Sequence, residues 1–223
     1  VKRAVLFDVG DTLILGHPKL WLWPLLQERG LLHKADTSRL MEAVMAAYAV
    51  YNERHMRATT IEAALPIWAE FHRTLLSGIG LGEHAGEISA FLCENWQNPR
   101  VWPLTPGAKE VLGELKGRGY KLGVVSNWDA LLPGVLEATG LAPYFEFVAA
   151  SALVGAAKPD PRIFRVALEG LGVEPHEALH VGDSPDDLGG AAAAGVEALL
   201  FDPYRRNPQA LHELAGVLER LEA

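Results

Sequence analysis

Asp8 and Asp11 stand three residues apart in KRAVLFDVGDTLILG, where an apolar run meets small polar residues. A carboxylate delivered by the end of a strand can act as a nucleophile and take up a phosphoryl group as an aspartyl-phosphate. More polar chemistry follows far along the chain. GVVSN supplies Ser126 and Asn127, GAAKPDP supplies Lys158, and ALHVGDSPDD supplies Asp183, Asp186 and Asp187. Carboxylates gathered in one place repel one another unless a cation lies between them. An all-oxygen set of this kind suits a hard cation such as Mg²⁺, which takes one or two carboxylates directly. A lysine, a hydroxyl and the N–H groups of a helix start would hold an anion such as phosphate.

For these residues to meet, the elements must bring them to one edge. RAVLFDV, YKLGVVSN, FEFVAA, ALHVGD and EALLF read as strands. Between the later ones lie helix patterns: TPGAKEVLGELKGRG with Pro106 early, DALLPGVLEATG with a kink expected near Pro133, and DPRIFRVALEGLG with Asp160 as N-cap. PDDLGGAAAAG follows as a helix, and NPQALHELAGVLERLEA as a closing one. Alternating strands and helices predict an α/β fold with a parallel sheet covered on both faces. Ligands then bind beyond the carboxyl ends of the strands. From about Leu20 to Asn98 the pattern is helical instead, with Leu40, Val44, Ala47 or Tyr48, and Tyr51 on one face, Thr60 as an N-cap, and Gly78 and Gly80 as a stop. That stretch reads as an inserted helical lobe.

Composition narrows the class. The chain has 223 residues, 49% apolar and 22% charged, with a formal net charge of -8. The acidic balance argues against nucleic acid, which needs a basic face. No apolar run reaches the roughly 18 to 20 residues of a bilayer span. The N-terminal segment reads as a strand and not a signal peptide. Cys93 is the only cysteine, which excludes an internal disulfide and suits the cytoplasm; it reads as a small buried residue. The histidines are scattered, so no zinc-type cluster is expected. The tryptophans allow a monomer or a homodimer.

FDVGDTL, VVSN, KPDPRIF and VGDSPDD, in this order and spacing, resemble the motifs of the haloacid dehalogenase-like hydrolase superfamily across almost the whole chain. The resemblance implies a Rossmann-like core over residues 1–15 and 100–223, an all-helical cap over 16–99, and in most members a Mg²⁺-dependent phosphatase. It implies Asp8 as the nucleophile, Ser126 as a phosphate-binding hydroxyl, and Lys158 as the lysine steadying both nucleophile and phosphate. Asp8, Asp183, Asp187 and the Gly10 backbone carbonyl match metal-ligand positions, and Thr12 matches a residue bracing the loop. The expected substrate is a small phosphorylated metabolite. Asn127 is a further substrate-side candidate, balanced against helix capping. Trp128 and Asp129 border the expected crevice. On the cap, His17 is the leading candidate, followed by Trp21, Trp23, Arg54, His55 and Arg57.

One departure matters. Phosphatases of this superfamily usually read Asp-x-Asp-Gly-Thr, and the second Asp moves the leaving-group proton. Here that position is Gly10, and the acid is Asp11. Either Asp11 reaches the leaving group from a rearranged loop, or it satisfies backbone N–H groups in the turn. The second reading is preferred, because a one-residue shift redirects a side chain. Two other functions stay open: a 2-haloacid dehalogenase, which needs no leaving-group acid, and a binding or regulatory protein with little turnover.

Overall fold

The structure is a computed structural model that describes residues 1–222. One parallel sheet is built from β1 (Ala4–Phe7), β2 (Lys121–Ser126), β3 (Phe147–Ala150), β4 (Ala178–Gly182) and β5 (Glu197–Leu200), in the order β3-β2-β1-β4-β5. β1 lies in the middle, with Phe7 level with Val124 of β2 and with Val181 of β4. The residues that follow β1, β2 and β4 therefore leave the sheet side by side at one edge.

Successive side chains of a strand point to opposite faces. Val5, Phe7 and Val124 pack on one side with Leu112 and Val135, while Leu6 and Val125 pack on the other with Phe164 and Leu168. Both faces are covered, so β1 is buried at every position and its sequence is an unbroken apolar run.

Between β1 and β2 lie α1 (Pro18–Glu28), α2 (Leu40–Arg54), α3 (Ile61–Gly78), α4 (Gly82–Glu94) and α5 (Ala108–Gly117). The first four share a core of their own that includes Leu22, Leu26, Leu75, Leu76 and Ile88. Thr60 caps α3, its hydroxyl accepting from Ala63 N at 3.2 Å. Helix α2 buries Leu40, Ala43, Ala47 and Tyr51, so the inward stripe runs through Ala43, and Val44 is only half-buried.

The remaining helices are α6 (Leu132–Thr139), α7 (Ser151–Val154), α8 (Pro161–Leu171), α9 (Pro185–Ala193) and α10 (Gly216–Glu222). Asp160 caps α8, accepting from Arg162 N at 2.9 Å.

Three local expectations are corrected. Pro106 precedes α5 and is not part of it. Pro133 does not kink a helix: α6 begins at Leu132, and Pro133 stands in its first turn, where a missing N–H costs nothing. The closing helix covers only Gly216–Glu222. The preceding stretch is bonded to the sheet edge instead, with Leu211 N donating to Leu200 O at 2.9 Å and Asp202 N to Leu211 O at 2.8 Å. Asp202 also accepts from Asn207 N at 2.6 Å, a side-chain bond that competes with helix formation. Among the described residues no helix is long and apolar enough to cross a membrane.

Candidate active site

Lys158 stands at the centre of the site. Its Nζ lies 2.7 Å from Asp8 Oδ1 and 2.6 Å from Asp187 Oδ1, and all three side chains are buried. Burial works against a charged lysine, but the two carboxylates outweigh it and its pKa is raised. Asn127, at the end of β2, fixes the loop that carries it. The Asn127 amide accepts from Lys158 N at 2.7 Å and donates to Lys158 O at 3.0 Å.

Carboxylate oxygens of Asp8, Asp183 and Asp187 lie within 4.8 Å of one another. The three differ in what already holds them. Asp187 Oδ1 accepts from Lys158 and pairs with His180 Nε2 at 2.7 Å, while its Oδ2 accepts from Ser184 Oγ at 2.6 Å and Ser184 N at 3.2 Å. Burial would raise Asp187, yet Lys158 and His180 hold it well below the ordinary carboxylate range. Glycine is required beside it, because a Cβ on Gly182 would fall 2.2 Å from Asp187 Cγ.

Asp183 has no such support. Burial, then the charges of Asp8, Asp187 and Asp11, push it up to about 8. Asp8 is raised too, with burial outweighing Lys158 and the nearby Ser126 hydroxyl. This crowding is what a bound divalent cation relieves. Asp183 and the Asp8 oxygen not bonded to Lys158 are free to hold one, whereas both oxygens of Asp187 are already engaged. Among the described residues no backbone N–H donates to the Gly10 carbonyl, which leaves a further oxygen on the same loop. Asp186 is exposed in the first turn of α9, where the helix dipole favours an acid.

The loop after β1 explains the order of Gly10 and Asp11. Asp11 has φ 50°, a left-handed conformation that Asp tolerates better than most side chains. Its Oδ1 accepts from Gly16 N at 2.8 Å and from the Tyr204 hydroxyl at 2.6 Å. Gly10 is under no such constraint, and a Cβ there would meet nothing within 4 Å. Thr12 is fully buried, and its hydroxyl has no partner among the described residues. His17 caps α1, its Nδ1 accepting from Lys19 N at 3.2 Å, and it does not line the cavity described next.

A cavity of about 130 Å³ separates the inserted helices from the sheet edge. Gly10 and Asn127 line it together with Trp21, Trp68, Trp102 and Trp128. Trp128 thus borders it, but Asp129 does not. Asp129 is fully buried and ties the inserted helices to the sheet, accepting from the Tyr51 hydroxyl at 2.9 Å and Trp68 Nε1 at 2.7 Å. Of the other candidates on these helices, Trp21 lines the cavity, and Trp23, Arg54, His55 and Arg57 do not. Arg54 pairs with Glu70, and His55 is buried against the Tyr51 ring.

Reading the motifs alone does not bring Tyr204, Tyr48 or His180 into the site. The Tyr48 phenol is raised by burial and by the carboxylates of Asp11, Asp183 and Asp8, which places its hydroxyl close to the acids. A Cβ on Gly16 would lie 3.0 Å from that hydroxyl. The available signal for His180 was a histidine inside an otherwise apolar strand beside an acidic motif.

A family model for haloacid dehalogenase-like hydrolase matches residues 2–195. The chain is 41% identical over 130 residues to the mouse haloacid dehalogenase-like hydrolase domain-containing protein 3, a match that takes in 58% of this chain and 52% of that one. It is 40% identical over 162 residues to a phosphoserine phosphatase of Thermus thermophilus, covering 68% of this chain and 64% of the relative. The chain spans about half the length of the first of these relatives. Among solved structures, a HAD phosphatase from Thermococcus onnurineus is 26% identical with a TM-score of 0.63, covering 99% of this chain and 98% of that one. A 2-haloacid dehalogenase from Pseudomonas syringae is equally similar, at 26% and 0.63, covering 100% and 99%. With its parallel sheet, the convergence of four sequence motifs at one strand edge and the match over residues 2–195, the chain belongs to the haloacid dehalogenase-like hydrolase family.

Proposed function

We propose that this hydrolase is a Mg²⁺-dependent phosphatase of a small phosphorylated metabolite, with Asp8 as the nucleophile. The observation that carries the reading is the cluster of Asp8, Asp183 and Asp187, with the Lys158 ammonium bonded to Asp8 and Asp187. Displacing halide from carbon needs no metal, so a second free acid beside the nucleophile favours phosphoryl chemistry. A bound Mg²⁺ would rest on Asp8, Asp183 and the Gly10 carbonyl and offset the negative charge of the phosphoryl group.

The rest is done by the chain itself. One Asp8 oxygen bonds to phosphorus as the bond to the leaving oxygen breaks. Lys158 and the Ser126 hydroxyl bind the phosphoryl oxygens. Asn127 keeps Lys158 in register through the loop backbone. The leaving alkoxide takes a proton from water, for which the open space beside Gly10 leaves room. A second water then attacks phosphorus as the bond to Asp8 breaks, and its proton neutralises the hydroxide left by the first, so that one water is consumed overall. The helices α1–α4 act as a cap over the substrate.

The test is a turnover screen of phosphate monoesters with Mg²⁺ and with chelator, using wild type and Asp8→Asn. Mg²⁺-dependent phosphate release, lost in the variant, is expected. Halide release from a 2-haloacid that chelator does not affect would replace this reading with the dehalogenase.

A further inference from the structure

The cavity behind Gly10 is unusual in its charge. None of its lining residues is Lys, Arg, Asp or Glu, and five of the six tryptophans of the chain line it. Its polar atoms are mostly committed elsewhere, except Trp128 Nε1, which is buried and has no partner among the described residues. Trp21 Nε1 donates to Gly16 O at 3.0 Å, Trp102 Nε1 to Trp96 O at 2.6 Å, and Trp68 Nε1 and the Tyr51 hydroxyl to Asp129. The Asn127 amide is used on both sides by Lys158. His72 supplies no cation, since burial holds it neutral by pushing its pKa down to about 3.

A carboxylate entering such a space would lose its water and meet no cation, only the neutral N–H of Trp128, and that exchange costs several kcal/mol. An apolar ring gains instead, at roughly 25 cal/mol per Å² removed from water. The size fits a ring, since an apolar protein cavity of about 150 Å³ takes up benzene. Gly10, on the loop after Asp8, and Asn127, which fixes Lys158, both line the cavity, so a leaving group seated in it would lie beside the reacting centre.

Building on the phosphatase reading, we infer that the substrate is a phosphate monoester whose leaving group is uncharged, apolar and of single-ring size, seated among Trp21, Trp68, Trp102 and Trp128. Phosphoesters bearing a carboxylate, the chemistry named for the Thermus thermophilus relative, are excluded by the same walls.

Three alkyl esters of similar leaving-group reactivity make the test: ethyl phosphate, 2-phenylethyl phosphate and phosphoserine, each with Mg²⁺. The expected result is a kcat/KM for 2-phenylethyl phosphate about a hundredfold above that for ethyl phosphate, with phosphoserine lowest. Leu65 lines the cavity and is only half-buried, so it can be changed in both directions. Leu65→Phe should bring kcat/KM for the phenyl ester down to that for ethyl phosphate, and Leu65→Ala should move the preference towards a naphthyl ester. Equal rates on all three esters, or a phenyl preference indifferent to both variants, would overturn the inference and leave the phosphatase reading standing. Absence of phosphate release from every ester would overturn the phosphatase reading instead. The cavity is then judged by binding alone: 2-phenylethanol should change the tryptophan fluorescence of the wild type and not of Leu65→Phe, and no change in the wild type would overturn the inference.

Discussion

The Tyr204 hydroxyl donates to Asp11 Oδ1 at 2.6 Å across 193 residues of chain, and pins the loop after β1 to the segment after β5. The same oxygen accepts from Gly16 N. Asp11 is thereby occupied as a brace. Asp11→Asn keeps an acceptor oxygen and should retain activity within about threefold, whereas a general acid at this position would cost about 10²- to 10⁴-fold. Asp11→Ala leaves both donors unpaired and should destabilise the fold by about 1–3 kcal/mol. Rates and urea melts of the two variants separate brace from acid.

Gly10 has neither strain nor a close neighbour to explain it. Gly10→Asp should therefore fold normally. It restores a carboxyl where the superfamily pattern has its proton donor, and turnover of alkyl phosphates should rise by about tenfold or more. Steady-state kinetics checks this, and an unchanged rate in a well-folded variant would mean that the proton is already supplied by a side chain.

Asn127 makes two hydrogen bonds to the backbone of Lys158. Asn127→Ala should lower kcat by about 10- to 100-fold, in line with the loss of other supporting residues. The loss should fall on kcat more than on KM for the phenyl ester. Asn127→Asp, which retains the acceptor for Lys158 N, should recover part of it.

Asp183 sets a pH dependence with a definite sign. Its folded pKa of about 8 lies above its ordinary 3.8. Between these values the folded chain binds more protons than the unfolded one, so its contribution to stability is greatest below about 4 and falls as pH rises towards 8. A divalent cation reverses that loss by pairing with the ionised form. The gain in Tm on adding Mg²⁺ should then be larger at pH 8 than at pH 6, and Asp183→Asn should flatten the difference. Thermal melts with Mg²⁺ and with chelator at the two pH values are sufficient.

The sheet was readable because each strand is an apolar run closed by a polar motif, and the helices because Thr60 and Asp160 announce their own starts. The candidate side chains were readable for the same reason, since Asp8, Ser126 and Asp183 sit at or just beyond strand ends. Pro133 misled because the same residue breaks a helix from within and begins one at its first turn. Tyr204 and Asp11 were not readable as a pair: a single bond over 193 residues leaves no periodic trace. Nor was the cavity, whose tryptophans come from separate elements and meet only once those elements pack. The charge of Asp183 likewise depends on its burial and on Asp8 and Asp11, which the strand order brings to it.

The central claim is covalent chemistry on Asp8, and it is tested by rapid acid quench during turnover followed by peptide mass spectrometry. With Mg²⁺ and a phosphate monoester, the peptide containing Asp8 should carry one phosphoryl group, lost in Asp8→Asn and in the presence of chelator. Sustained phosphate release with that peptide unmodified at every quench time, or a phosphoryl group on a different residue, would contradict the account.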